Sequence, residues 1–245
     1  MTNQLKTIFL LGVLSALLIS IGWALGPGYV YGFTALALVM NLGAYFFSDR
    51  IVLKLHGAQE VTPEQAPALH RIIEELARQA RIPKPRVCIV PDDQPNAFAT
   101  GRNPKHGVVA VTEGILRLLS ERELRGVLAH ELAHIKNRDI LVSSIAAVIA
   151  AAVGYIANAL SFAAFFGGHQ ADEEEGAGAG GWLMTFIAPL LATLIQLGIS
   201  RAREYMADET GARISGDPEA LARALEKLEQ SVAMIPAATA QPATA

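Results

Sequence analysis

The sequence predicts an α+β membrane protein, mainly helical, in which four transmembrane helices accompany a polar domain with a small β-sheet. Three observations predict it. Hydrophobic residues make up 52% of the chain against 18% charged, and the mean hydropathy is +0.34, more apolar than an ordinary soluble domain. The excess falls in four uncharged blocks, Thr7–Leu25, Tyr29–Phe47, Ile140–Phe166 and Trp182–Ser200. Each has about 19 residues or more, enough to cross a hydrocarbon core of ~30 Å. Between the second and third blocks, helical repeats and short strand-like runs replace the apolar stretches.

The blocks divide the chain. Residues 1–48 form a transmembrane hairpin, 49–139 a polar domain, and 140–200 a second transmembrane pair with an acidic outer loop. Residues 201–232 are a helical continuation of the polar domain, and 233–245 an Ala/Thr/Pro tail expected to be disordered. Lys6, Arg50, Lys54, Lys136, Arg138, Arg201 and Arg203 all flank one set of block ends. The opposite connections, Gly26-Pro27-Gly28 and the loop with Asp172–Glu175, carry no Lys or Arg. That bias places the basic ends, and with them the polar domain, in the cytoplasm. A cleaved signal peptide is disfavoured for the first block because a second span follows at once.

In the polar domain, Thr62-Pro63-Glu64-Gln65 reads as a helix start, followed by Leu69, Ile72, Ile73, Leu76 and Ala80 at helical spacing. Pro83 and Pro85 lead to a strand at Arg86–Val90, where Cys88 reads as a packed, unreactive residue. Asn96–Thr100 and Gly107–Thr112 read as two strands joined by a turn. Ser120-Glu121-Arg122-Glu123 is a capping box that opens a helix continuing through Leu124, Val127, Leu128, Leu132 and Ile135. Further helices are expected at Arg201–Ala212 and from Asp217-Pro218 to Val232. In the first span, Gly12, Ala16, Ser20 and Ala24 form a small-residue stripe suited to helix packing. His56, His70, His106 and His169 read as surface or loop residues.

The capped helix carries the chemistry. His130 and His134 are four apart, so their imidazoles leave one face of the helix, one turn apart. That spacing suits two nitrogens at ~2.0–2.1 Å from one zinc ion. Glu131, turned about 100° around the helix, can act on a water beside the metal as general base. A catalytic zinc commonly takes three protein ligands and keeps one position open. Glu204 is the best-placed third ligand, with Asp208 one turn on, able to accept a hydrogen bond from a liganding histidine. Asp139 and Glu123 are rivals. His134 lies about 9 Å of helix before the third span and Glu204 about 6 Å after the fourth. An antiparallel pair of spans would therefore return both to one membrane surface.

His130-Glu131-Leu132-Ala133-His134 with Asn137 and Asp139, Asn96-Ala97-Phe98-Ala99-Thr100-Gly101, and Ser200-Arg201-Ala202-Arg203-Glu204 with Ala207-Asp208 resemble the HtpX-type membrane zinc metalloproteases. The resemblance covers nearly the whole chain. It implies a gluzincin-like protease domain at the cytoplasmic face of a bacterial inner membrane. Glu131 would be its catalytic base and His130, His134 and Glu204 its ligands to one Zn2+. It further implies that Asn96, Ala97, Phe98 and Ala99 lie beside the cleft and pair with an extended substrate. The expected partners are polypeptides, misfolded or damaged membrane proteins among them, and the lipid bilayer, with no nucleic acid. The sequence departs from the family at its C-terminus, where Ala, Thr and Pro replace a His-Pro-containing segment. Two alternatives are weighed: a zinc hydrolase of a lipid or other amide, and a non-catalytic metal-binding scaffold. The strand beside the motif disfavours the first, and Glu131, unnecessary in a structural site, disfavours the second.

Overall fold

Residues 3–151 and 201–234 are described by a computed structural model of the chain. In chain order its helices are α1 (Asn3–Leu25), α2 (Val30–Leu55), α3 (Pro67–Ala80), α4 (Glu113–Leu118), α5 (Glu121–Asn137), α6 (Ile140–Ala151), α7 (Arg201–Ser215) and α8 (Pro218–Met234). The strands are β1 (Gln59–Glu60), β2 (Arg86–Val90), β3 (Ala97–Thr100) and β4 (Val108–Thr112). The architecture is mostly helical with a small mixed sheet. Two units divide it, Met1–Val52 with Leu141–Arg201 and Leu53–Ile140 with Ala202–Ala245.

In the first unit, Leu10, Leu14 and Leu18 of α1 stand one turn apart on a single face. They share a core with Ala37 of α2 and with Val142, Ile145 and Ile149 of α6. The expected stripe of Gly12, Ala16 and Ser20 does not make this contact; those residues face outward. Leucines fill the space between the helices and bury more apolar area than small residues can. Asn41 Nδ2 donates to Ser15 Oγ at 2.7 Å, and Ser15 donates on to Leu11 O at 3.0 Å, a polar tie between α2 and α1. The outward faces are apolar: Ile8, Trp23, Leu38 and Val39 are 62–75% exposed, as lipid-facing residues would be. Leu5–Trp23 and Pro27–Leu55, with hydropathies of 2.1 and 1.5, are long and apolar enough to cross a membrane. Two of the four expected spans are thus found. The third starts on α6, but its remainder and the fourth span lie outside the described residues, as do the acidic loop, His169 and the tail from residue 235.

In the second unit the sheet order is β1-β2-β4-β3. β4 is central, parallel to β2 and antiparallel to β3, with Arg86 opposite Val108 and Ala97 opposite Val111. Every residue of β4 is buried, as a strand covered on both faces must be. Its side chains alternate between two cores. Val109 and Val111 join Val87 and the apolar faces of α3 and α5. Val108 and Ala110 join Cys88, Val90 and Leu53 on the other side. Burial pushes the Cys88 thiol up to about 11, so it stays protonated and inert. β1 was not expected, since two residues show no periodicity.

Two local expectations are corrected. Thr62 does not cap α3. Its carbonyl accepts the amides of Gln65 and Ala66, and its own amide donates to Gln65 Oε1 at 2.8 Å. That closes a separate turn, and Pro67 rather than Pro63 takes the first helical position. His70 is not a surface residue: it is buried, with Nε2 3.0 Å from Val61 O.

α5 begins as expected, with the capping box formed in both directions between Ser120 and Glu123. Glu123 is buried and also accepts Lys227 Nζ of α8 at 2.7 Å. Lys227's hydrogen bond, then those from the Ser120 backbone and hydroxyl, pull the Glu123 carboxyl down to about 2. A carboxyl lowered in the folded state adds stability above its ordinary range and loses it as pH falls through the lowered value. Stability should therefore decline between about pH 4.5 and pH 2. Glu123→Gln should be less stable than the parent at pH 7 and show a flatter acid limb. Melting temperatures of the detergent-solubilised chain across that range check both.

Candidate active site

α5 is held by its inner face. Leu128, Leu132 and Ile135 are wholly buried, packed with Ile73 and Leu76 of α3. His130, Glu131 and His134 are left half-buried. Two glycines let other helices close on α5. A Cβ on Gly126 would stand 2.6 Å from Leu221 N, so the start of α8 crosses there at backbone contact. A Cβ on Gly211 would stand 3.1 Å from both Cα and N of His130, so α7 also packs tightly on the α5 backbone. Glu204, Ala207, Asp208 and Gly211 recur at helical spacing along one face of α7. The contact at Gly211 thus carries the two acids to the histidines.

The convergence is tight. His130 Nε2 and His134 Nε2 are 3.1 Å apart, and Glu204 Oε2 is 3.5 Å from each. Ligands bound tetrahedrally at ~2.0–2.1 Å stand roughly 3.3–3.4 Å from one another, so the three atoms already match one face of such a site. Nδ1 of His134 faces Asp139 Oδ2 at 3.1 Å. Asp208 Oδ1 is 2.9 Å from Nδ1 of His130, near enough to hold a proton there though not aligned as a hydrogen bond. With both Nδ1 atoms protonated, each Nε2 presents a lone pair to the other and to a carboxylate. Three electron-pair donors aimed at one point repel unless a cation lies between them. These three residues could hold a metal ion, and the donor set fits it.

The structure uses the acids of the sequence analysis differently. Asp139 is 1% exposed and backs His134. Arg138 adopts a left-handed conformation at the end of α5, φ 57°, which folds Asp139 back beneath the helix. Nothing in the helical periodicity announces this, although an aspartate just past a helix end is its only outward sign. Glu123 is committed to its cap and Lys227.

Burial pushes the Glu131 carboxyl up to about 7, opposed by the His134 charge and by a hydrogen bond from the Ala99 backbone. Burial, then the His134 charge, lowers His130 despite Asp208 and Glu204. Burial also acts to lower His134, but the hydrogen bond and charge of Asp139, joined by Glu131 and Glu204, raise it overall. A cation among these groups would favour neutral histidines and an ionised Glu131.

The Asn96–Ala99 segment is divided. Asn96 and Ala97 line a cavity of about 230 Å³ together with His130, Glu131 and Asp208. Val127 of α5 and Leu221, Leu225 and Leu228 of α8 supply its apolar wall, which was not foreseen. Phe98 points to the opposite face of the sheet, against the Cys88 core and His56, with ring centroids 4.9 Å apart. Among the described residues β3 pairs only with β4, so its outer edge faces the α5 side, where Ala99 meets Glu131.

Residues 63–240 match the family model described as Peptidase family M48. Curated relatives include the Protease HtpX homolog of Aquifex aeolicus, 56% identical over 228 residues, 88% of this chain and 76% of the relative. Those of Syntrophobacter fumaroxidans and Pyrococcus furiosus are each 53% identical, covering 100% and 98% of this chain and 88% and 83% of their own lengths. The crystal structure of S. mikatae Ste24p superposes with a TM-score of 0.50 at 18% identity, over 94% of this chain and 59% of that one. At that identity the likeness is one of fold. Family match, close relatives and a site fit for a metal agree, and the chain belongs to peptidase family M48, as a metalloprotease of the HtpX type.

Proposed function

We propose that this chain is a membrane-integrated zinc endopeptidase that cuts misfolded or damaged membrane polypeptides at the cytoplasmic face of a bacterial inner membrane, anchored by four spans. The observation that carries the catalytic reading is the meeting of His130, His134 and Glu204 with Glu131 alongside. The membrane reading is supported by two long apolar helices and by the Lys/Arg bias of the block ends.

A zinc ion held by His130, His134 and Glu204 would supply Lewis acidity to a scissile carbonyl and to a water molecule. The chain's own groups do the rest. Glu131, kept ionised by a cation among these groups, takes the water's proton and passes it to the departing amine. Asp139 and Asp208 keep the protons of the two imidazoles on Nδ1, so that each Nε2 remains a donor. The edge of β3 receives an extended peptide backbone, with Asn96 and Ala97 at the cavity mouth and Phe98 contributing main chain only. The apolar cavity wall takes a side chain of that peptide.

Four results follow from these roles. Glu131→Gln should keep its zinc and lose cleavage of an unfolded protein by roughly 10²–10⁴-fold, read by metal analysis and proteolysis together; undiminished cleavage ends the mechanism. Glu204→Ala should release zinc on dialysis. Asp139→Asn should weaken zinc binding about 10–100-fold, measured by chelator competition, while the helical circular dichroism stays unchanged. Gly211→Ala alters no proposed ligand, yet the added methyl must push α7 from α5; zinc affinity should fall, and wild-type affinity would show that Glu204 is placed by something else.

A further inference from the structure

We propose that α8 sets the side-chain preference of the enzyme: Leu221, Leu225 and Leu228 make the cavity beside Glu131 a pocket for one uncharged, apolar side chain of the substrate. The proposal rests on the peptidase reading above and names the kind of residue its site accepts.

The cavity holds about 230 Å³. An engineered void of about 150 Å³ lined by Leu, Ile and Phe binds benzene, so a phenyl ring or the branched chain of Leu fits here. Ile115 and Val127 supply its deeply buried part, at 0% and 7% exposed. Leu221, Leu225 and Leu228 fall at i, i+4 and i+7, on one face of α8, and all three line the cavity. Leu221 and Leu228 are partly buried against the core, whereas Leu225 is 49% exposed. Leu225 therefore has apolar surface to offer an incoming group, and removing that surface from water favours association.

The polar members of the lining decide what is refused. Glu131 and Asp208 bring carboxylates, and among the described residues no Lys or Arg lines the cavity. An Asp or Glu side chain entering it meets like charges and leaves water with no cation to replace it. Asp208 stands 2.9 Å from His130 Nδ1 and Glu131 serves the water, so neither is spare for a substrate Lys or Arg.

The wall is pinned before and after Leu225. A Cβ on Gly126 would stand 2.6 Å from Leu221 N and 2.8 Å from Ala220 C, so the start of α8 lies on the α5 backbone. Two residues beyond Leu225, Lys227 Nζ donates to Glu123 Oε2 at 2.7 Å. A substitution at Leu225 thus alters the pocket rather than the path of the helix. Leu, Ile, Val, Phe and Met are the residues that folded proteins bury. A pocket that takes one of them, beside a strand edge that takes free backbone, asks for two features that unfolding exposes together.

The test uses the full zinc-loaded chain in detergent and a mixture of unstructured synthetic peptides, with every cut located by mass spectrometry. One position at a fixed distance from the cut bond should be enriched in Leu, Met, Ile or Phe and depleted in Asp and Glu. In peptides matched except there, Leu should exceed Ala in kcat/KM by at least ~10-fold, and Asp should be poorer still. Leu225→Arg puts a cation at an exposed position of the lining and should raise cleavage of the Asp peptide relative to the Leu peptide by about 10-fold. Leu225→Ala should narrow the gap between the Leu and Ala peptides. Glu226→Gln, at an exposed α8 position that does not line the cavity, should leave both ratios as in the parent. Zinc content and melting report whether each variant is intact. Should Leu225→Arg lose its zinc, Leu225→Ala and the cut sites of the parent still decide.

Cuts with no preferred residue at any position overturn the proposal, and so does a preference for a charged residue at that position. A preference that both Leu225 variants leave unchanged overturns it as well, since the selecting wall would then lie off α8. Failure of the peptidase reading looks different: the zinc-loaded parent cuts no peptide, or cuts as well after Glu131→Gln, and the proposal falls with it.

Discussion

The backbone contact of α7 with α5 at Gly211 sets how near Glu204 can come to His130 and His134. A Cβ at 211 would stand 3.1 Å from the His130 backbone, so the two helices would have to give by a few tenths of an ångström, and Glu204 would move with α7. The closeness has a cost. With both imidazoles protonated at Nδ1, two nitrogen lone pairs and a carboxylate point at one another, an arrangement that is repulsive by itself and favourable around a cation. Metal binding and the docking of α7 are therefore one equilibrium seen from two sides. Asp139 and Asp208 add to the same balance, since each favours the proton arrangement in which the donors face inward.

Rigidity for that contact comes from elsewhere on α5. Its buried leucines hold it to α3 and the sheet, and Gly126 admits α8. The buried Glu123 ties the helix cap to Lys227 of α8. A carboxylate with three such donors is far from the metal chemistry, but it fixes the helix that presents it. The same α8 then lends Leu221, Leu225 and Leu228 to the cavity beside Glu131. Support for α5 and the apolar wall of the cavity are thus drawn from one helix pairing.

Features governed by local rules were legible in the sequence. The capping box, the His130–His134 spacing, the Arg86–Val90 strand and the β3–β4 pair all follow from periodicity or capping chemistry. Glu204 and Asp208 came within reach because four-residue spacing on a helix is itself a geometric statement. What was hidden depends on contacts between segments far apart in sequence. Gly211 and Gly126 look like ordinary helix glycines until a second backbone is laid against them. Asp139 reads as a candidate ligand because the left-handed turn at Arg138 that redirects it has no glycine to signal it. Thr62 carries a good capping pattern, yet the nearby Pro67 offers an equally good start, and the chain uses it. In the first span, spacing alone cannot choose between a small-residue stripe and a leucine face, because both repeat every four residues.

The edge of β3 is four residues long, preceded by Pro95 and bounded by Gly101. So short an edge is a poor template for lasting self-pairing, yet a peptide laid along it still gains main-chain hydrogen bonds. Only a chain whose own amides and carbonyls are unsatisfied gains by that pairing. A folded protein has already committed its backbone internally, and surrendering those bonds would cost what the edge returns. Under the proposed function, discrimination of this kind would require no sequence motif in the substrate. It would read a vacancy in the hydrogen-bond register, so that a polypeptide would be marked for cutting by the structure it has lost.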